Sequence, residues 1–190
     1  MITVLAVSPS SDVTGAEQSL LNISAFLDRS AVSMMLAAPG GGTFEKRWRD
    51  MGLEFHAMDV PARQGLRSGD GRQWHGLRQL SITVWRTVQA IGRLVKTVRA
   101  ADADVIHSNL LMTHLDCVIA GFLTGARPVL ELHEIVAPGL PRQLLGAMIR
   151  LSGATIAISG ASRDQVPRWA RAKVVVVPQC VDARRFDSRR

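Results

Sequence analysis

Apolar residues fall along this chain in two alternating rhythms. Short, nearly continuous runs rich in Val, Ile and Leu stand at Ile2–Val7, Val32–Ala37, Leu53–His56, Val105–His107, Val129–Leu132, Thr155–Ile158 and Val174–Val177. Between them lie longer stretches with apolar residues three and four apart, at Ala16–Leu27, Phe44–Met51, Leu77–Ala100, Leu111–Leu123, Arg142–Leu151 and Ala161–Trp169. The first rhythm is that of strands covered on both faces, the second that of amphipathic helices. Their alternation marks βαβ units and parallel pairing. The expected fold is therefore α/β: a Rossmann-like, doubly wound, mostly parallel sheet of about seven strands with helices on both faces. At 190 residues the chain reads as a single domain over 1–190. In the helix Leu77–Ala100, the positions Leu77, Leu80, Val84, Val88, Ile91, Val95 and Val98 form one stripe, expected to face the core. The segment 61–76, "PARQGLRSGDGRQWHG", has no period and reads as a loop.

In doubly wound sheets ligands bind beyond the carboxyl ends of the strands, where the winding direction reverses. With the common strand order, the first and fourth strands flank that crevice. The residues to inspect are those following each strand: Ser8 to Gly15, His107-Ser108-Asn109, His133-Glu134 and Ser159-Gly160. Gly15 lies in "TGAE", which fits a capping box, with Thr14 and Glu17 satisfying each other's amides. The cap alone can account for the pattern. Alternatively, Gly15 and Ala16 expose bare amides at the positive end of a helix, where an anionic oxygen is stabilised. His133 and His107 each close a strand near the crevice and can exchange a proton near neutral pH. At least one of them is expected to be functional, whereas His56, His75 and His114 have no such setting.

Several chemistries lack their residues. There is one glycine where a dinucleotide fingerprint needs three, and "MMLAAPGGG" offers no acidic residue after the second strand. No two histidines share metal-ligand spacing on one helix, so no metal is expected. "AISGAS" lacks the glycine two residues before Ser159 that a nucleophile elbow requires. The two cysteines, Cys117 and Cys180, make neither a disulfide framework nor a metal motif and suit a reducing compartment. The N-terminal apolar run is shorter than a signal peptide's and has no basic segment before it. No apolar stretch approaches the roughly 20 residues that span a bilayer. The chain reads as soluble and cytoplasmic.

Charge adds one feature. The net +7 is concentrated between Asp70 and Asp102, which encloses Arg72, Arg78, Arg86, Arg93, Lys96 and Arg99 and no acidic residue. On the helix, Arg78, Arg86, Arg93, Lys96 and Arg99 share an arc of about 140° opposite the apolar stripe. A solvated face explains this pattern; a phosphoanion or an anionic membrane surface explains it too, and better accounts for the lack of acidic neighbours. Nucleic acid fits less well, because aromatics are not interleaved with the bases.

Five motifs in order resemble the N-terminal domain of family-4-type glycosyltransferases of GT-B architecture. "TGAEQSLLNISAFL" is similar to their Gly-Gly-Ala-Glu helix start, "DADVIHSNLL" to their fourth strand and "PVLELHEI" to their fifth. "IAISGASRDQV" and "VVVVPQCVDARRF" resemble their Ser-containing segment and their "PNGVD" signature. Thr14 replaces the first glycine of the pair, and Gln179-Cys180 replaces Asn-Gly. The resemblance implies half of a retaining, metal-independent enzyme that moves a sugar from a nucleotide sugar to an acceptor hydroxyl. The C-terminal donor-binding domain, with its E-x7-E glutamates, is absent from this chain. No cofactor is implied beyond the nucleotide-sugar co-substrate. By resemblance, Gly15 and Ala16 face the donor phosphate or an anionic acceptor group, and Glu17 braces their turn. His133 holds the sugar or the acceptor hydroxyl, with Glu134 and His107 supporting, while Asn109, Ser159 and Arg163 lend polar contacts. The basic helix meets a phosphorylated or lipid-linked acceptor, with peripheral contact to an anionic membrane. The abundance of Arg over Lys, with much Ala, suggests a bacterial source. The rival expectation is a stand-alone, non-catalytic binding or regulatory module for an anionic sugar or lipid phosphate.

Overall fold

The computed structural model describes residues 1–59 and 77–179, excluding the side chains of 77–83. The segment 61–76, the Arg78 side chain, His75, Cys180 and the arginine-rich tail lie outside the described residues. The chain runs β1 (Ile2–Val7), α1 (Gly15–Phe26), β2 (Val32–Ala38), α2 (Thr43–Asp50), β3 (Phe55–Ala57), α3 (Leu77–Ala100), β4 (Val105–Ser108) and α4 (Leu111–Thr124). It continues with β5 (Arg127–Leu132), α5 (Leu140–Leu151), β6 (Ala154–Ala157), α6 (Gly160–Asp164), a 3-10 turn (Arg171–Lys173) and β7 (Val174–Val176). The seven strands form one sheet in the order β3-β2-β1-β4-β5-β6-β7. Every pairing is parallel, in the Rossmann-like arrangement the sequence predicts. The winding reverses between β1 and β4.

Alternate residues of each strand serve opposite faces. On one face Ala6 and Leu36 pack with Leu20 and Leu21 of α1 and with Phe44 and Trp48 of α2. On the other, Leu5, Val7 and Ile106 pack with Leu94 and Val98 of α3 and with Cys117 and Ala120 of α4. Farther along that face, Leu130, Leu132 and Ala157 meet Leu145 and Ile149 of α5. Each layer removes several large side chains from water, at about 1.5–3 kcal/mol apiece.

Three elements differ from expectation. The last helix, expected over Ala161–Trp169, ends at Asp164. Pro167 has no amide to continue the ladder and disfavours helical backbone at Val166. Arg171 then accounts for the released carbonyls, donating to Asp164 O (2.6 Å) and Val166 O (3.0 Å). β3 begins at Phe55 rather than Leu53: the turn after α2 covers Met51 and Gly52, and Leu53 and Glu54 lead into the strand. Finally, only part of the α3 stripe reaches the core. Ile91 and Val98 are buried and Val95 is half-buried, but Val84 and Val88 are 55% and 56% exposed, beside Trp85 at 63%. The reason is length: a 24-residue helix spans about 36 Å, whereas a four-residue strand such as β4 spans about 13 Å. With so short a strand beneath, the turn from Val84 to Val88 has no core to meet.

Candidate functional site at the carboxyl edge of the sheet

The ends of β1, β4 and β5 lie side by side, with Val7 in register with Ser108 and Ser108 with Leu130. The loop after β1 is fastened to the start of α2. Asp12 Oδ1 accepts from the Thr43 hydroxyl (3.0 Å) and amide (3.3 Å), and the Phe44 amide donates to Ser11 O (3.0 Å). The two bonds from Thr43, the amide's first, and one from the Ser11 hydroxyl hold the Asp12 carboxyl below the usual range. Only a glycine fits at position 42, since a Cβ there would stand 1.9 Å from Ser11 O.

Glu17 anchors the other end of this loop from inside. Its carboxylate is fully buried and accepts from the Ser8 hydroxyl (2.9 Å) and the Thr14 amide (3.1 Å), with the Thr14 hydroxyl on the same oxygen. Gly15 is different. Its φ is not positive, and a Cβ built on it would meet nothing within 4 Å. Neither backbone conformation nor crowding therefore demands a glycine at the first position of α1. Ala16 follows, buried in the same first turn.

A histidine–carboxylate cluster occupies the neighbouring strand ends. His107 in β4, Glu131 in β5 and His133 just beyond β5 alternate onto one face. Glu131 is 4% exposed and lies between the two rings, with Oε2 3.0 Å from His107 Nε2 and Oε1 3.2 Å from His133 Nε2. These distances are of ion-pair range, although the alignment falls short of a full hydrogen bond. Burial pushes the Glu131 carboxyl up, but the two imidazoles outweigh it and hold the group ionised, with a pKa of about 2. His133 Nδ1 is 2.9 Å from Gln179 Nε2, so the amide donates to that ring nitrogen.

The site contains residues that sequence reasoning missed. Glu131 is the carboxylate that faces His133. The neighbouring Glu134 instead presents its backbone carbonyl to Gln165 Nε2 (2.7 Å), fixing the turn after β5. His114, expected to lack a functional setting, is fully buried on the opposite face of the sheet, with Nδ1 2.7 Å from Ser108 Oγ. Burial first, then the charges of His107 and His133, lower its pKa to about 3 and keep it neutral. Asn109 is buried at the β4 end with neither side-chain atom hydrogen-bonded. The signal for Glu131 was present: a residue two before His133 in a strand shares its face.

The remaining candidates are placed less centrally. Ser159 caps α6, accepting from the Ser162 amide at 3.1 Å, and Arg163 pairs with Asp164 at 3.1 Å. On α3, Arg86, Arg93, Lys96 and Arg99 are exposed, as expected. The face is not without acidic neighbours, however, because Asp59 reaches Arg93 at 3.7 Å from across the fold. Arg99 donates to Leu123 O at 3.3 Å. A groove of about 290 Å³ lined by Met1, Leu27, Arg29, Met34 and Glu54 lies near the amino edge, away from these groups. Among the described residues no group of three or more His, Cys, Asp or Glu is arranged so that it could hold a metal ion, and no helix is long and apolar enough to cross a membrane.

A Rossmann-like lobe with polar groups collected at its β1/β4 switch point has its candidate ligand site at that edge of the sheet. The family follows from comparison. The model of Glycosyltransferase Family 4 matches residues 13–185, and the chain belongs to that family. No curated protein sequence matches. Among solved structures, a glycosyltransferase from Rickettsia africae superposes with a TM-score of 0.72 at 14% identity, over 98% of this chain and 45% of its own. HepE from Anabaena, in complex with UDP-glucose, gives 0.67 at 19% identity, over 97% and 45%. MurG from Acinetobacter baumannii gives 0.63 at 10% identity, over 100% and 49%. At these identities the likeness is one of fold, that of a GT-B lobe. This chain spans about half the length of each of these three structures.

Proposed function

We propose that this chain is the acceptor-side lobe of a retaining, metal- and cofactor-independent glycosyltransferase that transfers a hexose from a nucleotide sugar to an acceptor hydroxyl. A second, donor-binding lobe completes the cleft, and the 190-residue lobe alone is inactive. The observation that carries this reading is Gly15. It stands exposed at a helix start with no structural need for a glycine, on the same sheet edge as His133. Bare amides and a helix dipole stabilise the charge that develops on a departing nucleoside diphosphate. His133 meets the transferred sugar or the acceptor hydroxyl, with His107 alongside and Glu134 forming the adjoining turn. Asn109, Ser159 and Arg163 are secondary polar contacts. HepE, crystallised with UDP-glucose, has the same lobe, which supports a nucleotide-sugar donor.

The need for a second lobe is supported by apolar side chains near the site. Ile135, Leu140 and Leu144, on the loop after β5 and the start of α5, are all more than half exposed. A stand-alone module would expose polar groups there. The basic face of α3, with Trp85 beside it, suits a phosphorylated or lipid-linked acceptor at an anionic, cytoplasmic membrane face. The test is His133→Ala in the two-lobed enzyme. Turnover should fall at least tenfold, by more than the change in folding stability accounts for, while the isolated lobe transfers no sugar. An unchanged rate removes His133 from the site, and micromolar binding of a nucleoside diphosphate to the lobe alone contradicts the division of labour.

A further inference from the structure

The carboxylate between the two histidines has a consequence that His133 alone does not suggest. An ionised carboxylate only accepts hydrogen bonds. Both Glu131 oxygens face imidazole Nε2 atoms, at 3.0 and 3.2 Å, in a place that is 4% exposed. Each neutral ring must therefore carry its proton on Nε2, or present a bare lone pair to a buried negative charge. For His133 the other nitrogen provides a second observation. Nδ1 faces the Gln179 amide at 2.9 Å, an arrangement that requires Nδ1 to accept. The two contacts agree on one tautomer.

We propose that Glu131 is a positioning residue that fixes His107 and His133 as Nε2–H tautomers and so makes His133 Nδ1 a hydrogen-bond acceptor at the crevice. The ligand group suited to that atom is a donor, a sugar or acceptor hydroxyl, and not a phosphate oxygen. Gln179 fills the position that such a hydroxyl would take, and it leaves when the hydroxyl arrives. Phosphate recognition then falls to the first turn of α1, which separates the two chemistries along the sheet edge. This inference rests on the reading that His133 faces ligand, but the tautomers can be measured without one.

Long-range 1H–15N correlation spectra of the imidazoles in this chain, at mildly alkaline pH, read the proton position on each ring. In the wild type His107 and His133 should both be Nε2–H. Glu131→Gln supplies one accepting oxygen and turns an NH2 toward the other ring, so one histidine should reverse to Nδ1–H, a population change of about tenfold or more. Glu131→Asp retains the charge and should keep both rings Nε2–H. Gln179→Ala should leave His133 unchanged, since the carboxylate sets its tautomer. The proposal is overturned by an Nδ1–H His133 in the wild type, by a folded Glu131→Gln protein with both rings unaltered, or by reversal in Gln179→Ala. Should Glu131→Gln not fold, the wild-type, Glu131→Asp and Gln179→Ala spectra still decide. Tautomers as expected together with full turnover in His133→Ala would refute the functional reading and leave the role of Glu131 intact.

Discussion

Replacing Gly15 with alanine should make this chain more stable and, on the proposed function, make sugar transfer by the two-lobed enzyme worse. Gly15 is the exposed first residue of α1, its φ is not positive, and the new methyl would meet no atom within 4 Å. Under those conditions alanine stabilises chiefly by restricting the unfolded chain, by about 0.4–1 kcal/mol. The first helical position argues for the lower end, about 0.5 kcal/mol, because the residue makes fewer helix contacts than an interior one. For a domain of this size that corresponds to a rise in Tm of about 1–2 °C, within reach of calorimetry or urea titration on the isolated chain. The ligand side carries the opposite sign. A methyl beside the first-turn amides occupies the space through which a phosphate oxygen approaches. Loss of one charge-assisted hydrogen bond costs about 1.5–3 kcal/mol, a ten- to hundredfold fall in kcat/KM for the two-lobed enzyme. A clear loss of stability in Gly15→Ala would show that the backbone needs glycine after all. Higher stability with unchanged kinetics would show that nothing binds at that turn.

Two further outcomes can be checked on the lobe itself. His114 has its pKa lowered from 6.5 to about 3, so the unfolded chain binds a proton that the folded one refuses. Its contribution to stability is complete above about pH 6.5 and is lost as pH falls toward 3, at about 1.4 kcal/mol per pH unit; His114→Gln should flatten that part of the acid-denaturation profile, and an unchanged slope would contradict the neutral, buried assignment. The chain should also sediment with anionic but not neutral vesicles, with salt-sensitive binding weakened in Arg86→Glu; equal binding to both vesicle types would refute the electrostatic reading of α3.

Most of the framework was legible because the apolar runs are unusually clean. Leu5 and Val7 are buried on one face of the parallel sheet and Ala6 and Leu36 on the other, so the strands read as continuous rather than alternating. The reversal point followed from strand order, and the Glu17 brace from its spacing to Thr14. Glu131 was half hidden by its surroundings. It stands in "VLEL", where a single charge between leucines reads as part of a strand; its spacing puts His133 on the same face, but only the pairing of β4 with β5 brings His107 against it. His114 was missed for a related reason, since helical spacing cannot show that Ser108 lies beneath its ring. Val84 and Val88 misled because periodicity reports which side of a helix is apolar and not how far the sheet extends below it. The Asp59–Arg93 contact joins residues 34 positions apart and has no local trace.

The length mismatch between α3 and its sheet divides this helix into an anchored and a cantilevered half. The turns carrying Ile91, Leu94 and Val98 can open only together with the core, whereas those around Val84 to Val88 break few buried contacts when they bend or fray. The turn from Val84 to Val88 lies toward the sheet edge that carries His133 and Gly15, so it can adjust to an approaching surface at little cost to the sheet. A helix built to the length of its strands would have no such freedom.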